Sequence, residues 1–488
     1  MLFSHNGNAE YDLKRLKLSP SVSNAYKPKC FQQLGLALCL ISGSLLAIWA
    51  MQHTVALRNM LLGLGFLLAA IYFLNVKNGS LNQIPWPNLL PILLIGGLFL
   101  WVILHYFFFS QDSAAQLKEL SSIWLRSALG AVLGLATGLA ISSKPHRINL
   151  LGFGIVGGFL ALYCQYIPRV WVSHQLFQVD YFNYVFYGKI NGVLMGTLLI
   201  AGIGGTLMDA FRLRGGASYT FFATALILTI LPLYAYVFLF SAKNGIGSAV
   251  VLGIFWSIWA LCRLRKKVEQ TPKTVLPKKN KVLAVLVLIS LLALVSAFAR
   301  MQIRHDPSWL NLVEDIHESV QIDKYPQWKS PATMGYPILA SGRMVTPNAF
   351  ERVSWATAGL RLIPQNPWGN GILQYPFRRS LAPNFPDLDP NILPGSTHSG
   401  WLELTLSFGL PALFFLWGSL ASIFLLALKN KEPHQGLVIS LVFAIFCLYS
   451  VGELSNHHAV EILIFSMALL AGINMPKPNN LHNTGPSC

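Results

Sequence analysis

Ionisable residues gather where long apolar runs begin or end, and their types point to one chemistry. Arg126 lies inside an apolar run near 122–142, and Lys243 opens another in Ser241-Ala242-Lys243-Asn244-Gly245. His398 and Glu403 stand at the start of a third, in Thr397-His398-Ser399-Gly400-Trp401-Leu402-Glu403. Arg352, Arg361, Arg378 and Arg379 fall in the polar stretch before it. Charge within or beside a membrane-length apolar run is costly, so each is a candidate functional group. Arginine and lysine suit a diphosphate, which they hold by charge-assisted hydrogen bonds, bidentate ones in the case of arginine. A histidine near them can accept a proton from an attacking hydroxyl, because its pKa lies close to the working pH. The acids of the polar stretch are Asp306, Glu314, Asp315, Glu318, Asp323, Glu351, Asp387 and Asp389. They show no tight repeating spacing of the kind that holds a hard cation, so neither a metal nor another cofactor is expected.

Each candidate also has an ordinary explanation. Arg126 suits a snorkelling anchor, and Lys243 an interfacial lysine. Arg378 and Arg379 could touch lipid headgroups, and His398 could serve only the start of its helix. Glu403 is five residues from His398, off its helical stripe, and reads as a hydrogen-bonding partner for a neighbouring helix. Arg361 reads as solvated or packed, and His457 and His458 have no recognisable partner spacing.

The elements that must position these groups are membrane helices. Hydrophobic residues make up 54 % of the 488-residue chain and charged ones 11 %, against about 25 % charged in a soluble protein. About 20 mostly apolar residues cross a bilayer. Such runs stand near 32–51, 56–74, 88–109, 122–142, 149–166, 190–208, 218–240, 246–262, 282–299, 401–428, 435–451 and 459–474. The fold class expected is therefore an all-α polytopic membrane protein of about twelve transmembrane helices. The net charge of +17 reflects the positive-inside rule rather than nucleic-acid binding, because the basic residues cluster between runs and no nucleic-acid fold signature accompanies them. Those clusters are Lys14, Arg15, Lys17, Lys27 and Lys29; Lys144 and Arg147; Arg212 and Arg214; eight residues from Arg263 to Lys281; Lys429 and Lys431; and Lys477. All fall on one side, which puts both termini in the cytoplasm. The six cysteines (Cys30, Cys39, Cys164, Cys262, Cys447 and Cys488) avoid the large polar stretch and have no CxxC spacing, which argues against a disulfide framework or a zinc site.

The organisation that follows is a cytoplasmic tail at 1–31, transmembrane helices 1–9 over 32–299, a periplasmic loop or cap at 300–399, helices 10–12 over 400–474, and a second cytoplasmic tail at 475–488. A hundred-residue stretch is too long for a structureless loop, so a helical cap is expected. Within it Asn348 reads as an N-cap with Glu351 three residues on, Phe350, Val353, Ala356 and Leu360 as an apolar face, and Pro364 as the stop. Arg352, Trp355 and Gly359 share a second face.

Two stretches carry a resemblance. Glu351-Arg352-Val353-Ser354-Trp355-Ala356-Thr357-Ala358-Gly359-Leu360, followed by Pro364-Gln365-Asn366-Pro367-Trp368-Gly369-Asn370-Gly371, resembles the loop pattern of the O-antigen ligase superfamily. His398-Ser399-Gly400-Trp401-Leu402-Glu403-Leu404 with Phe408-Gly409-Leu410-Pro411 resembles its motif at the loop-to-helix junction. The resemblance covers roughly residues 240–430 by motif and the chain by topology. It implies a GT-C-like fold and a metal-independent, inverting transfer of a glycan from undecaprenyl diphosphate, on the periplasmic face of a bacterial inner membrane. O-antigen ligases, repeat-unit polymerases and protein O-oligosaccharyltransferases share this chemistry. They differ in the acceptor; the Thr-His-Ser-Gly-Trp form leans toward a ligase, with lipid A–core as acceptor. Carried over by position, His398 would activate the acceptor hydroxyl and Arg352 would contact the diphosphate or hold the active loop. Lys243 stands where the family commonly has arginine, which keeps the charge and loses the fork. Arg126 matches only loosely.

Two other classes compete. A transporter would place ionisable groups near the midplane and repeat one half in the other, whereas these groups lie at outer helix ends and the long loop occurs once. A structural scaffold of the envelope would leave the cation–histidine group without a purpose.

Overall fold

The computed structural model describes residues 29–75, 84–177, 188–213, 219–270, 278–386, 388–429, 434–452 and 457–475. The tails expected at 1–31 and 475–488 lie almost wholly outside these residues, as do Arg214, Lys273, Asp387, Lys431 and Lys477. A helix covers each apolar run. These helices are α1 (Lys29–Ile48), α2 (Val55–Asn75), α3 (Trp86–Phe108), then a short α4 (Ser113–Glu119) that leads through a π-helical turn into α5 (Leu125–Ser143). They continue as α6 (Ile148–Ser173), α7 (Lys189–Leu213), α8 (Tyr219–Tyr234), α9 (Lys243–Gln270) and α10 (Lys278–His305). The cap contributes α11 (Leu312–Ser319), α12 (Pro331–Met334), α13 (Pro347–Leu362) and α14 (Pro376–Leu381). The chain then returns to long apolar helices, α15 (Gly400–Lys429), α16 (Gln435–Ser450) and α17 (His457–Ile473). Among the described residues eight helices are long and apolar enough to cross a membrane, and shorter apolar helices stand at Ala223–Leu239, Gln435–Ser450 and His458–Ile473. The protein is an all-α, multi-pass membrane protein.

Lipid offers no hydrophobic drive between helices, so close backbone approach must hold the bundle, and small residues permit it. On α5, Gly130, Gly134 and Gly138 recur every fourth residue. A Cβ at Gly134 or Gly138 would collide with the backbone of α17 at Phe465 or Leu469, and Gly472 meets α5 in the same way. The helix α7, rich in glycine, is the most enclosed of the eight. Helix ends are closed by distant side chains: Asp209 of α7 accepts from the Gly436 and Leu437 amides at 2.7 and 2.9 Å, placing an anion at the N-terminus of α16. Arg147, only 6 % exposed, ties the start of α6 to α1 by donating to the Gln32 carbonyl at 2.7 Å.

The cap has its own small core of Trp328, Leu339, Val345, Phe350, Leu362, Phe377 and Leu393. Two details of α13 differ from the sequence reading. Pro347, whose fixed φ and missing N–H suit the first turn, starts the helix and makes Thr346 the N-cap; the Asn348 side chain accepts from Arg352 instead. The buried stripe is Phe350, Ser354, Ala358 and Leu362, while Leu360 is 58 % exposed. An i, i+4 series carried by a serine and an alanine is weak in hydrophobicity, which is why the stripe read from larger side chains was rotated.

The cap is joined to α15 through the main chain. Gly409 sits at φ 73°, ψ −176° and breaks the helix, and Pro411 has no N–H to give the Ser407 carbonyl. The freed carbonyls of Leu406, Ser407 and Phe408 take the Asn370 amide (3.0 Å), the Gly371 amide (2.6 Å) and the Trp101 indole (2.7 Å). The Leu410 amide donates to the Pro367 carbonyl at 2.9 Å. Buried backbone groups that lose helical partners must find others, and residues 367–371 supply them. Beside this joint, buried His105 contacts the Trp368 carbonyl through Nε2 at 3.1 Å and the Gln116 amide through Nδ1 at 3.3 Å. Glu119 accepts from the Leu373 and Gln374 amides at 2.8 and 2.9 Å.

Candidate active site

Helix α13 brings two of the sequence-derived candidates together. Arg352 donates from Nε to Asn348 Oδ1 at 2.7 Å and from Nη1 to the Val451 carbonyl, at the C-terminal end of α16, at 3.2 Å. Helix carbonyl ends attract cations, which fixes the guanidinium over α16. One turn further along α13, the Trp355 ring stacks on His398 with centroids 5.3 Å apart and planes 19° from parallel. Its indole N–H is tied to the Trp328 carbonyl at 2.8 Å, so the platform under the imidazole is held by the cap. Gly359, the next residue on that face, admits Thr397.

His398 has a left-handed backbone, φ 56°, at the last bend before α15. The bend is built locally: the His398 amide donates to Ser396 Oγ at 2.9 Å, and the Ser396 hydroxyl donates to Glu403 Oε1. Glu403 is fully buried. Its Oε1 accepts from its own approach loop, because the turn folds Ser396 back over the first turn of α15.

Lys243 and Arg352 line one cavity of about 490 Å³, with Lys189, Asn244, Ser308 and Asn348 among the polar side chains around it. Lys243 Nζ lies 2.8 Å from Asp306 Oδ2. Burial pushes the Asp306 carboxyl up, but hydrogen bonds from Lys243 and Ser308 outweigh it and hold the group below the usual carboxylate range. Below the cavity along α7 and α16, an apolar cavity of about 300 Å³ is lined by Leu198, Leu199, Leu437, Leu441 and Ile445. Cys447, two residues past Ile445, lines the upper one.

The remaining candidates lie elsewhere. Arg126 donates from Nε to Glu461 Oε1 at 2.6 Å, in a buried cluster where the Trp49 indole gives Oε2 a second bond at 2.9 Å and His458 stands 3.8 Å away. Arg378 lies over the Tyr375 ring and bonds the Leu393 carbonyl at 2.9 Å. Arg379 faces Asp112 at 3.7 Å, and Arg361 pairs with Asp323 at 2.8 Å on the cap surface. None of the four lines the cavity, and neither does His398. Among the described residues no group of three or more His, Cys, Asp or Glu converges on a point.

Sequence reasoning overlooked Lys189 and Glu461. Lys189 had a usable signal, since a lysine at an outer helix end departs from the positive-inside pattern. Glu461 had another, as a carboxylate inside the last apolar run.

Fold and site together define a polytopic all-α membrane protein with a helical cap, a cation-lined cavity, and a histidine stacked on the cap helix that brings Arg352 to that cavity. Residues 224–417, from α8 through the cap into α15, match the O-antigen ligase family, which supports the resemblance to the O-antigen ligase superfamily. No curated protein matches it.

Proposed function

We propose that this protein transfers a glycan from undecaprenyl diphosphate to a hydroxyl of lipid A–core at the periplasmic face of the inner membrane. The observation that carries the reading is the cavity in which Lys243 and Arg352 meet; His398, outside its lining, stacks on Trp355 one turn along the helix that carries Arg352. In this reading the two cations hold the diphosphate, and the apolar cavity beneath suits the first isoprene units of the lipid. His398 takes the proton of the acceptor hydroxyl as its oxygen bonds to the anomeric carbon from the face opposite the leaving group. The bond from that carbon to the diphosphate oxygen breaks, and the electron pair leaves on the diphosphate. Negative charge grows on the bridging oxygen in the transition state, where fixed cations in a water-poor site stabilise it. The step needs no general acid, because the neutralised diphosphate leaves readily, and it inverts the anomeric centre.

The test is envelope glycan analysis of a deletion strain complemented with wild type or His398→Ala, reading lipopolysaccharide and undecaprenyl-linked glycan side by side. Ligation predicts that the deletion strips long glycan from lipid A–core and leaves it on undecaprenyl diphosphate. His398→Ala should fail to restore it, with transfer at least about 100-fold down. Single repeat units alone would make the protein a polymerase, and loss of glycan from a periplasmic protein would make the acceptor protein. Unchanged glycans would overturn the transferase reading in favour of transport.

A further inference from the structure

The chain leaves α10 for the cap through a short 3-10 turn, Pro307–Asn311, that runs directly into α11. Hydrogen bonds to a membrane helix fix its height. Lys243, the first residue of α9, lies 2.8 Å from Asp306 Oδ2 and donates to the Ser308 hydroxyl. Trp309 and Leu312 then line the cavity together with Gly247 and Val251, from the first turns of α9. The segment therefore stands level with the end of a helix that is long and apolar enough to span a bilayer.

The other side of the segment is apolar and open. Leu310 is 77 % and Val313 82 % exposed, followed by Ile316 at 41 % and Val320 at 42 %. At about 100° per residue these four fall within an arc of about 120°. His317 is the polar member of that arc, while Glu314 and Asp315 turn away from it and both accept from Arg343 at 2.7 Å. An apolar stripe of this kind marks a contact surface, and its surroundings identify the partner as lipid. Exposed residues of α9 include Val251, Ile254, Ile258 and Leu261, at i, i+3, i+7 and i+10, the spacing of a lipid-facing stripe on a membrane helix. Val251, at the cap end of that stripe, borders the same cavity as Leu312, so the two apolar surfaces adjoin. Arg304 and His305, exposed in the last turn of α10, supply the basic side chains that accompany apolar faces at headgroup depth.

We propose that residues 307–320 form an interfacial anchor, with Leu310, Val313, Ile316 and Val320 embedded in the lipid leaflet on the cap side. The inference does not depend on the transfer reaction. Trp309 and Leu312 face the cavity while Leu310 and Val313 face the bilayer, so one segment is the partition between them. The height of the cavity rim is then set by the membrane, because raising Ser308 and Asp306 would draw apolar side chains out of hydrocarbon.

The test places p-benzoylphenylalanine at single positions of the full-length protein in proteoliposomes of phosphatidylethanolamine and phosphatidylglycerol, and reads photo-adducts by mass spectrometry. Val313 and Leu310 are the two test positions, both exposed enough for the replacement to leave the core untouched. Asp323 is the contrast, with a side chain 81 % exposed in its ion pair with Arg361. Replacement of Val313 or of Leu310 should yield phospholipid adducts at least about tenfold more abundant than replacement of Asp323. Crosslinked pairs of protein chains in place of lipid adducts would overturn the anchor and assign the stripe to contact between copies. Equal lipid yields at all three positions would show that the stripe has no special relation to the bilayer. The absence of lipid adducts at both test positions would place the segment in water and overturn the proposal outright.

Discussion

A guanidinium in an apolar helix needs an anion, and Arg126 finds one in Glu461, 335 residues along the chain. Arg126 is a quarter exposed and Glu461 fully buried, so breaking the pair strands a carboxylate away from water. Arg126→Met should lower stability by about 3 kcal/mol. Arg126→Met combined with Glu461→Met should recover part of that loss in a double-mutant cycle read by thermal unfolding in nanodiscs. Additive losses would show that the pair is not coupled. His398, Arg352 and Lys243 could be picked out in the sequence because each lies in a recognisable local string. The partners that give them geometry could not: Val451 under Arg352, Asp306 behind Lys243 and Trp328 behind Trp355 are joined to them only by the packing of helices remote in sequence.

At the scale of elements, apolar runs of membrane length were legible, and a helix stands at each. Their joints were less so, because they depend on backbone conformation. Pro347 moved the start of α13 by two residues, and the glycines and prolines of 366–371 and 409–411 read as a motif without disclosing that they face one another. Gly409 occupies a region of φ/ψ that only glycine enters cheaply, and a Cβ there would meet the Pro367 carbonyl and Trp368. Gly409→Ala should therefore cost about 2 kcal/mol or more. It should also raise the rate of protease cleavage in the cap well before the membrane helices lose their circular dichroism. Equal protease resistance of variant and wild type would show that the joint does not fix the cap.

For the whole molecule, the sequence marks a bilayer-spanning bundle with one large polar excursion, and the structure adds that the excursion is a packed unit with its own core and ion pairs. Glu318 in that unit is held down to about 2 by hydrogen bonds from Lys324 and Tyr325. A carboxyl depressed on folding stabilises fully above its ordinary value of 4.5 and loses that contribution as pH falls toward 2. Cap proteolysis should thus be flat from about pH 7 to 5 and rise below about 4.5, with Glu318→Gln blunting the rise; a rise already present at neutral pH would contradict it. The joint at Gly409 has a consequence for ancestry as well as for stability. Since the cap docks in large part through amides and carbonyls, with Arg352, Trp355 and Arg379 adding side-chain contacts, much of its remaining side-chain surface is not committed to staying attached. A transplanted cap would need to carry one short turn offering two N–H groups and a carbonyl, seated on an unaltered broken helix. Apart from the residues that line the cavity or hold His398, the side chains above that seam are open to drift, so under the proposed transferase reading the acceptor can change while the lipid-facing chassis does not.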